Sequence, residues 1–300
     1  MVHAIDLEFL GRPRVIASGL IERAGSLAVV DPGPTTTLSR LRTGVAARGR
    51  AFEEIDTVLL THVHLDHAGA TGAIVRALPR VQVYVHERGA PHVIDPSKLV
   101  QSATRLYGDE MDRLWGEIVP VPAANVHAMK GGERIRAAGG EIDVAYTPGH
   151  AWHHVSYFDP ESGTAFTGDV GGIRIGDPLF VVPPTPPPDI DLEAWAVSID
   201  RVRAWKPRQL FLTHFGPHDD AAAHLDELES RLSGFGGIAW KLVADPTLDE
   251  EQRMARYIEA MRRALRDRMP DEEAMRRYDL AVPLDHCWIG LARYWRKRQT

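Results

Sequence analysis

The sequence predicts an α/β fold with a helical C-terminal extension, and three observations carry that prediction. Short apolar runs bounded by turn residues recur up to residue 218. Helical patterns alternate with them, as expected of a layered α/β architecture. Beyond residue 218 only helical spacing remains. Hydrophobic residues make up 44% of the 300, so the chain can bury a proper core in one large domain with an appendage. The expected division is a domain over residues 1–218 and a helical extension over 219–300 packed on it.

The first 60 residues read as strands. "VIASGLIER" and "SLAVVDPG" are apolar runs divided by "AGS", a hairpin turn, and "IDTVLL" (55–60) is a compact buried strand. A histidine cluster follows, then "HAGATGAIVRAL" (67–78) as a helix and "VQVYVH" (81–86) as a strand. Residues 88–118 look helical, broken at Gly108. The span 133–168 returns to strands, with "DPESG" as a hairpin signal. Six prolines in "GDPLFVVPPTPPPDI" (176–190) exclude helix and central strand and predict a stiff loop of polyproline character. A helix (191–205) and the strand "RQLFLTH" (208–214) follow. Helical spacing then marks 219–232, 249–269 and 284–298. Met254, Ile258, Met261, Leu265 and Met269 form one amphipathic stripe, and Leu284, Trp288, Leu291 and Trp295 another. Such stripes need a partner surface, either the parent chain or a second copy in a homodimer.

Charge and cysteine content narrow the function classes. A net charge of −6 offers no general attraction to nucleic acid or an anionic membrane, so a small-molecule substrate is expected instead. No run of about 18 apolar residues exists to cross a membrane. The opening "MVHAIDLEFLGRPRV" places Asp6 and Glu8 where a signal peptide needs an apolar run, and Cys287 is the sole cysteine. Both fit a cytoplasmic protein.

The chemistry concentrates at strand ends. "LTHVHLDHAG" (60–69) packs His62, His64, Asp66 and His67 into six positions between a strand and a helix. Later, His150 closes "VAYTPGH", Asp169 closes "TAFTGD" and His214 closes "QLFLTH". Five imidazoles and two carboxylates suit zinc, with iron, manganese or cobalt as alternatives. Seven ligands exceed one tetrahedral site and match two divalent ions. One loop could feed both, His62 and His64 to one ion and Asp66 and His67 to the other, while Asp169 is the only later acid able to bridge. Two ions about 3.5–4 Å apart would share an acidified water.

"THVHLDHAG", "TPGH", "TGD" and "LTH", in that order, resemble the metallo-β-lactamase-fold hydrolases over about residues 5–218. The resemblance implies a four-layer αβ/βα sandwich with a binuclear site on one edge. It implies that His62, His64 and His150 hold one ion, that Asp66, His67 and His214 hold the other, and that Asp169 bridges. It further implies that Asp31 of "DPG" supports a histidine ligand, although a plain turn aspartate would explain the same residue. Two departures matter. The class B1 β-lactamases carry cysteine where Asp169 stands, and flavodiiron proteins replace the second motif histidine, which is intact here as His64. "PGHAWHH" adds His153 and His154, one of which should point inward towards the ligands.

The expected activity is a binuclear metal-dependent hydrolase in which a metal-bridging hydroxide cleaves neutral esters, lactones or phosphotriesters, with Asp66 and Asp169 as the catalytic carboxylates. Tyr107 and Trp115 of the 88–118 insertion, with Phe180 and Val181 of the proline-rich loop, are the expected pocket walls, unless those segments are mere connectors. A glyoxalase II-like thioesterase and a di-iron or mono-iron redox enzyme of the same fold are the alternatives. Ribonuclease Z-type RNA processing would need a basic arm, and none is evident.

Overall fold

The structure, a computed structural model, describes residues 1–300 except Ala24, Asp177, Pro270 and Thr300. It contains two six-stranded sheets stacked face to face, with helices on both outer faces. The first sheet runs in chain order: β1 (Val2–Asp6), β2 (Ala17–Arg23), β3 (Ser26–Val30), β4 (Ile55–Leu59), β5 (Gln82–His86) and β6 (Val126–Met129). The second also keeps chain order: β7 (Arg134–Ala137), β8 (Gly140–Tyr146), β9 (Val155–Asp159), β10 (Thr164–Phe166), β11 (Gln209–Leu212) and β12 (Gly216–His218). Strands β3 to β6 pair in parallel, as do β10 and β11.

Side-chain alternation explains the layering. In β3, Leu27 and Val29 face an outer core, while Ala28 and Val30 face the space between the sheets. The inter-sheet core is completed by Leu59, Ile142, Val144, Tyr157, Phe166 and Phe211. On the first sheet lie α1 (Leu38–Ala46), α2 (Leu65–Ala68), α3 (Thr71–Ala77), α4 (Ala90–Ile94), α5 (Ser97–Tyr107) and α6 (Met111–Leu114). On the second lie α7 (Leu192–Ala204), α8 (Ala221–Ala244), α9 (Glu250–Arg268), α10 (Glu272–Ala281) and α11 (Leu284–Gln299). Helices α7, α9 and α10 each start at an aspartate, Asp191, Asp249 or Asp271, whose carboxylate accepts from a first-turn backbone N–H.

The structure differs from the sequence reading in several places. The first 60 residues are not all strand, because Leu38–Ala46 is helical. Its Ser, Thr and Gly content hides that helix, which is held by burying Leu41 and Val45 on the first sheet. The helix expected over 67–78 is two pieces, since Gly33 N–H takes the carbonyl of His67 and the Gly33 carbonyl takes Ala70 N–H. Helix α8 does not end near 232 but continues through Gly234, Gly236 and Gly237, where Gly236 lets Leu192 approach and its carbonyl accepts the indole N–H of Trp295 at 2.8 Å. Strands β6 and β12 and helix α10 were not expected.

The C-terminal helices share one buried cluster with the second sheet. Met261, Leu265, Tyr278, Trp288 and Leu291 pack in the same core as Ala165, Trp195 and Leu210. At Gly290 an added Cβ would fall 2.0 Å from the Thr185 carbonyl, so α11 lies directly against the proline-rich segment. Among the described residues no helix is long and apolar enough to cross a membrane. Trp288 is 0% exposed, so Trp288→Ala should cost about 3–5 kcal/mol, read by urea unfolding. A loss under about 1 kcal/mol would mean that this face does not carry core energy.

Candidate metal centre

All seven motif residues meet where the two sheets are joined at one end. Two backbone bonds make that junction: Ala17 N–H to the Thr213 carbonyl at 2.8 Å, and Val155 N–H to the Thr61 carbonyl at 2.8 Å. His62 follows β4, His64 to His67 enter α2, His150 sits between β8 and β9, Asp169 follows β10 and His214 follows β11. Strand ends converging on a crevice are where α/β folds place their chemistry.

The ligand atoms form two groups. His62, His64, His150 and Asp169 offer one set, and Asp66, His67 and His214 the other, each with its atoms within 4.8 Å of one another. Asp169 reaches both. Its Oδ2 lies 3.3 Å from His150 Nε2, and its Oδ1 lies 3.1 Å from His67 Nε2 and 3.6 Å from His214 Nε2. Asp66 Oδ2 is 3.3 Å from His214 Nε2.

Hydrogen-bond accounting shows why a cation fits. His67 Nδ1–H donates to Asp31 at 2.8 Å, His150 Nδ1–H to the Pro184 carbonyl at 2.9 Å and His214 Nδ1–H to the Val15 carbonyl at 2.8 Å. The Thr61 hydroxyl proton goes to Asp31 at 2.7 Å, so His62 Nδ1–H donates to Thr61 Oγ1 at 3.1 Å. Each of these rings thereby turns its Nε2 inward, and the neutral His62 and His150 present a bare lone pair there. His64 Nδ1 stands 3.0 Å from the Nε2 atoms of both His62 and His150, and one proton cannot serve three nitrogens. His67 Nε2, His214 Nε2 and Asp169 Oδ1 are buried with no hydrogen-bond partner. Buried lone pairs without donors are costly, and a bound cation removes that cost.

Electrostatics divide along the same line. Burial, with His150 beside it, drives the His64 imidazole down to about 3. Burial also pushes His62 and His150 down, so both are neutral at pH 7. Burial acts downward on His67 too, but Asp169, Asp66 and Asp31 outweigh it and hold its proton to well above the usual histidine range. Burial would raise Asp66, yet His67 and His214 bring it to about 2.

Asp31 is not a plain turn residue. Besides His67 it accepts from Thr61 N–H at 2.8 Å and from the Thr213 hydroxyl at 2.8 Å, all within the buried interior. The repeated "LTH", at 60–62 and 212–214, was the overlooked signal, because both threonines serve this carboxylate. His154 is fully buried; its Nδ1 lies 2.9 Å from the Thr147 hydroxyl and its Nε2 accepts from Val170 N–H at 3.4 Å. It therefore props the loop bearing Asp169. In that loop Gly168, at φ 47°, has no room for a Cβ, which would lie 2.4 Å from Thr61 Oγ1. The same loop is held by two residues not singled out from sequence: Trp195, whose indole N–H donates to the Val170 carbonyl, and His224, whose Nε2–H donates to that of Gly171.

A cavity of about 230 Å³ opens over Asp66 and Asp169. Tyr107 and Trp115, the expected pocket walls, line it, and so does His153, which was expected behind the ligands rather than on the cavity. Phe180 and Val181 do not: both are buried in the outer core of the second sheet, because the proline-rich segment first dives inward there. Its later residues Pro184, Pro186, Pro187 and Pro188 form the wall instead. Ala281, Val282, Pro283 and His286 of the C-terminal helices complete it, and nothing in their local sequence signalled this.

The family model for the metallo-beta-lactamase superfamily matches residues 11–214. A metallo-beta-lactamase fold-containing protein of Sulfurisphaera tokodaii is 29% identical over 168 residues, 55% of this chain and 62% of its own length. A hydroxyacylglutathione hydrolase of Legionella pneumophila is 25% identical over 146 residues, covering 49% of this chain and 43% of the relative. The chain thus spans about two fifths to three fifths of the length of these curated relatives. Among solved structures, a metallo-beta-lactamase family protein of Thermus thermophilus superposes with a TM-score of 0.68 at 21% identity, covering 99% of this chain and 94% of that one.

Two outcomes are expected. Asp31→Ala should weaken metal binding by about 10–100-fold, measured by chelator competition; unchanged affinity would remove Asp31 from the support of His67. Imidazole and carboxylate ligands bind a cation only in their deprotonated forms, so metal uptake competes with protons at these residues. Metal affinity should therefore rise with pH, and an unbuffered titration should show acid release; a pH-independent affinity would contradict the assignment.

Proposed function

This chain belongs to the metallo-beta-lactamase superfamily, and on that premise we propose that it is a binuclear metal-dependent hydrolase of neutral carboxylic esters, lactones or phosphotriesters. The observation that carries the reading is Asp169, one carboxylate oxygen of which faces each ligand group. In this reading His62, His64, His150 and Asp169 hold one divalent ion, zinc first among the candidates, and Asp66, His67, His214 and Asp169 hold a second. Ions held there would supply Lewis-acid polarisation of the scissile group and an acidified water.

The chain's own residues do the rest. His67 and His214 keep Asp66 a carboxylate at neutral pH, where it lines the cavity ready to hold the second ion. Leu99, Leu106, Trp115 and the proline wall exclude water from the reacting group. Among the described residues Lys98 is the one Lys or Arg lining the cavity, and no cluster of cations lines it to clamp a polyphosphate. That composition favours a neutral, partly apolar substrate.

A second reading, thioester hydrolysis, is favoured by the matches to several hydroxyacylglutathione hydrolases. A panel of lactones, aryl esters, thioesters, phosphodiesters and phosphotriesters, run on protein of measured metal content, separates the two. Turnover confined to thioesters would transfer the assignment, and no turnover on any member with both ions bound would remove the hydrolase reading. Asp169→Ala should lose bound metal, from about two ions per chain to one or none, together with activity. Retention of both ions in that variant would contradict the bridging role.

A further inference from the structure

The superfamily match ends at residue 214, yet the cavity wall continues onto the corner between α10 and α11. That corner is rigidly placed. Val282, Leu284, Cys287 and Trp288 belong to the buried core, and Thr185 of the proline-rich segment donates its hydroxyl to the Cys287 carbonyl at 3.3 Å. Across from it, the Tyr107 ring touches both His286, at 5.5 Å between centroids, and Trp115, at 5.1 Å. Tyr107 lines the same cavity as Asp66, Asp169 and His286, so it shares that space with both the ligand groups and the C-terminal corner. His286 makes no hydrogen bond among the described residues, and burial lowers its imidazole, leaving it neutral at pH 7.

We propose that the α10–α11 corner is the specificity wall of this site, and that it selects substrates whose non-reacting group is apolar and about the size of one aromatic ring. Such a group would lie against Val282 and Pro283, with a face on Tyr107 and its far edge towards His286. A wall already fixed by core packing needs no ordering when the group arrives, so its contacts discriminate by size. The inference rests on the hydrolase reading for which end of the substrate meets the ligand groups, but the wall itself can be tested by binding alone.

The test titrates full-length, zinc-loaded protein with acetate, phenylacetate and 2-naphthylacetate by calorimetry. The parent should bind phenylacetate at least about tenfold tighter than acetate, the scale on which apolar pockets discriminate. Ala281→Leu, which narrows the corner from a half-buried position, should bring that ratio near one. His286→Ala, which opens the far end, should shift the preference towards 2-naphthylacetate. Metal content and Tm are checked for each variant, and if Ala281→Leu fails to fold, His286→Ala decides. Equal affinity for acetate and phenylacetate in the parent, or an unmoved preference in the folded variants, overturns the proposal. A retained preference in protein that cleaves no ester, thioester or phosphotriester sinks the hydrolase reading and leaves the wall standing; cleavage without the preference does the reverse.

Discussion

The buried carboxylate of Asp31 is the constraint on which the site depends. It follows β3 of the first sheet, yet its acceptors are filled by Thr61 after β4, by His67 in α2 and by Thr213 after β11 of the second sheet. One residue thus ties the ends of strands from both sheets to the loop that carries four of the seven ligand residues. It does so from a left-handed backbone conformation, φ 48°, which costs a non-glycine residue energy that the four hydrogen bonds offset. Remove this carboxylate and His67 loses its fixed tautomer, while two threonine hydroxyls lose their acceptor in the interior.

Around that tie, the donor set is organised to need a cation. Every Nε2-directed histidine spends its other nitrogen on a neutral oxygen or a carboxylate, so the Nε2 atoms that remain all face one another and Asp169. Asp169 stands among them, one oxygen 3.1 Å from His67 Nε2 and the other 3.3 Å from His150 Nε2. Folding of the site and cation binding are therefore linked, and the rigidity comes from the outer hydrogen bonds rather than from the ligands themselves.

The cavity is built by elements distant in the chain. Helix α5 and its Tyr107 come from the first helical layer, the proline wall from the segment between β10 and α7, and the opposite corner from α10 and α11. Leu280 and Ala281 pack against the first outer core while their neighbours fill the second, so the C-terminal helices straddle the mouth of the site. A substrate would meet a surface whose shape depends on the packing of all three.

The sequence by itself determined the layered α/β class and the superfamily and marked the seven candidate ligand residues, because those depend on local pattern: apolar runs of strand length, and histidines and aspartates at fixed short spacings beside strand ends. It also marked Asp31, though not its threonine partners, since a hydrogen bond between positions 31 and 213 leaves no periodic trace. Helix α1 and the glycine-crossed continuation of α8 escaped notice because their residues favour helix weakly and tertiary burial decides. Only the tertiary structure decided the pocket. Phe180 and Val181 read as lining and proved to be core, whereas Val282 and His286 read as tail and proved to be wall. Periodicity tells which face of an element is buried, but not which distant surface that face will meet.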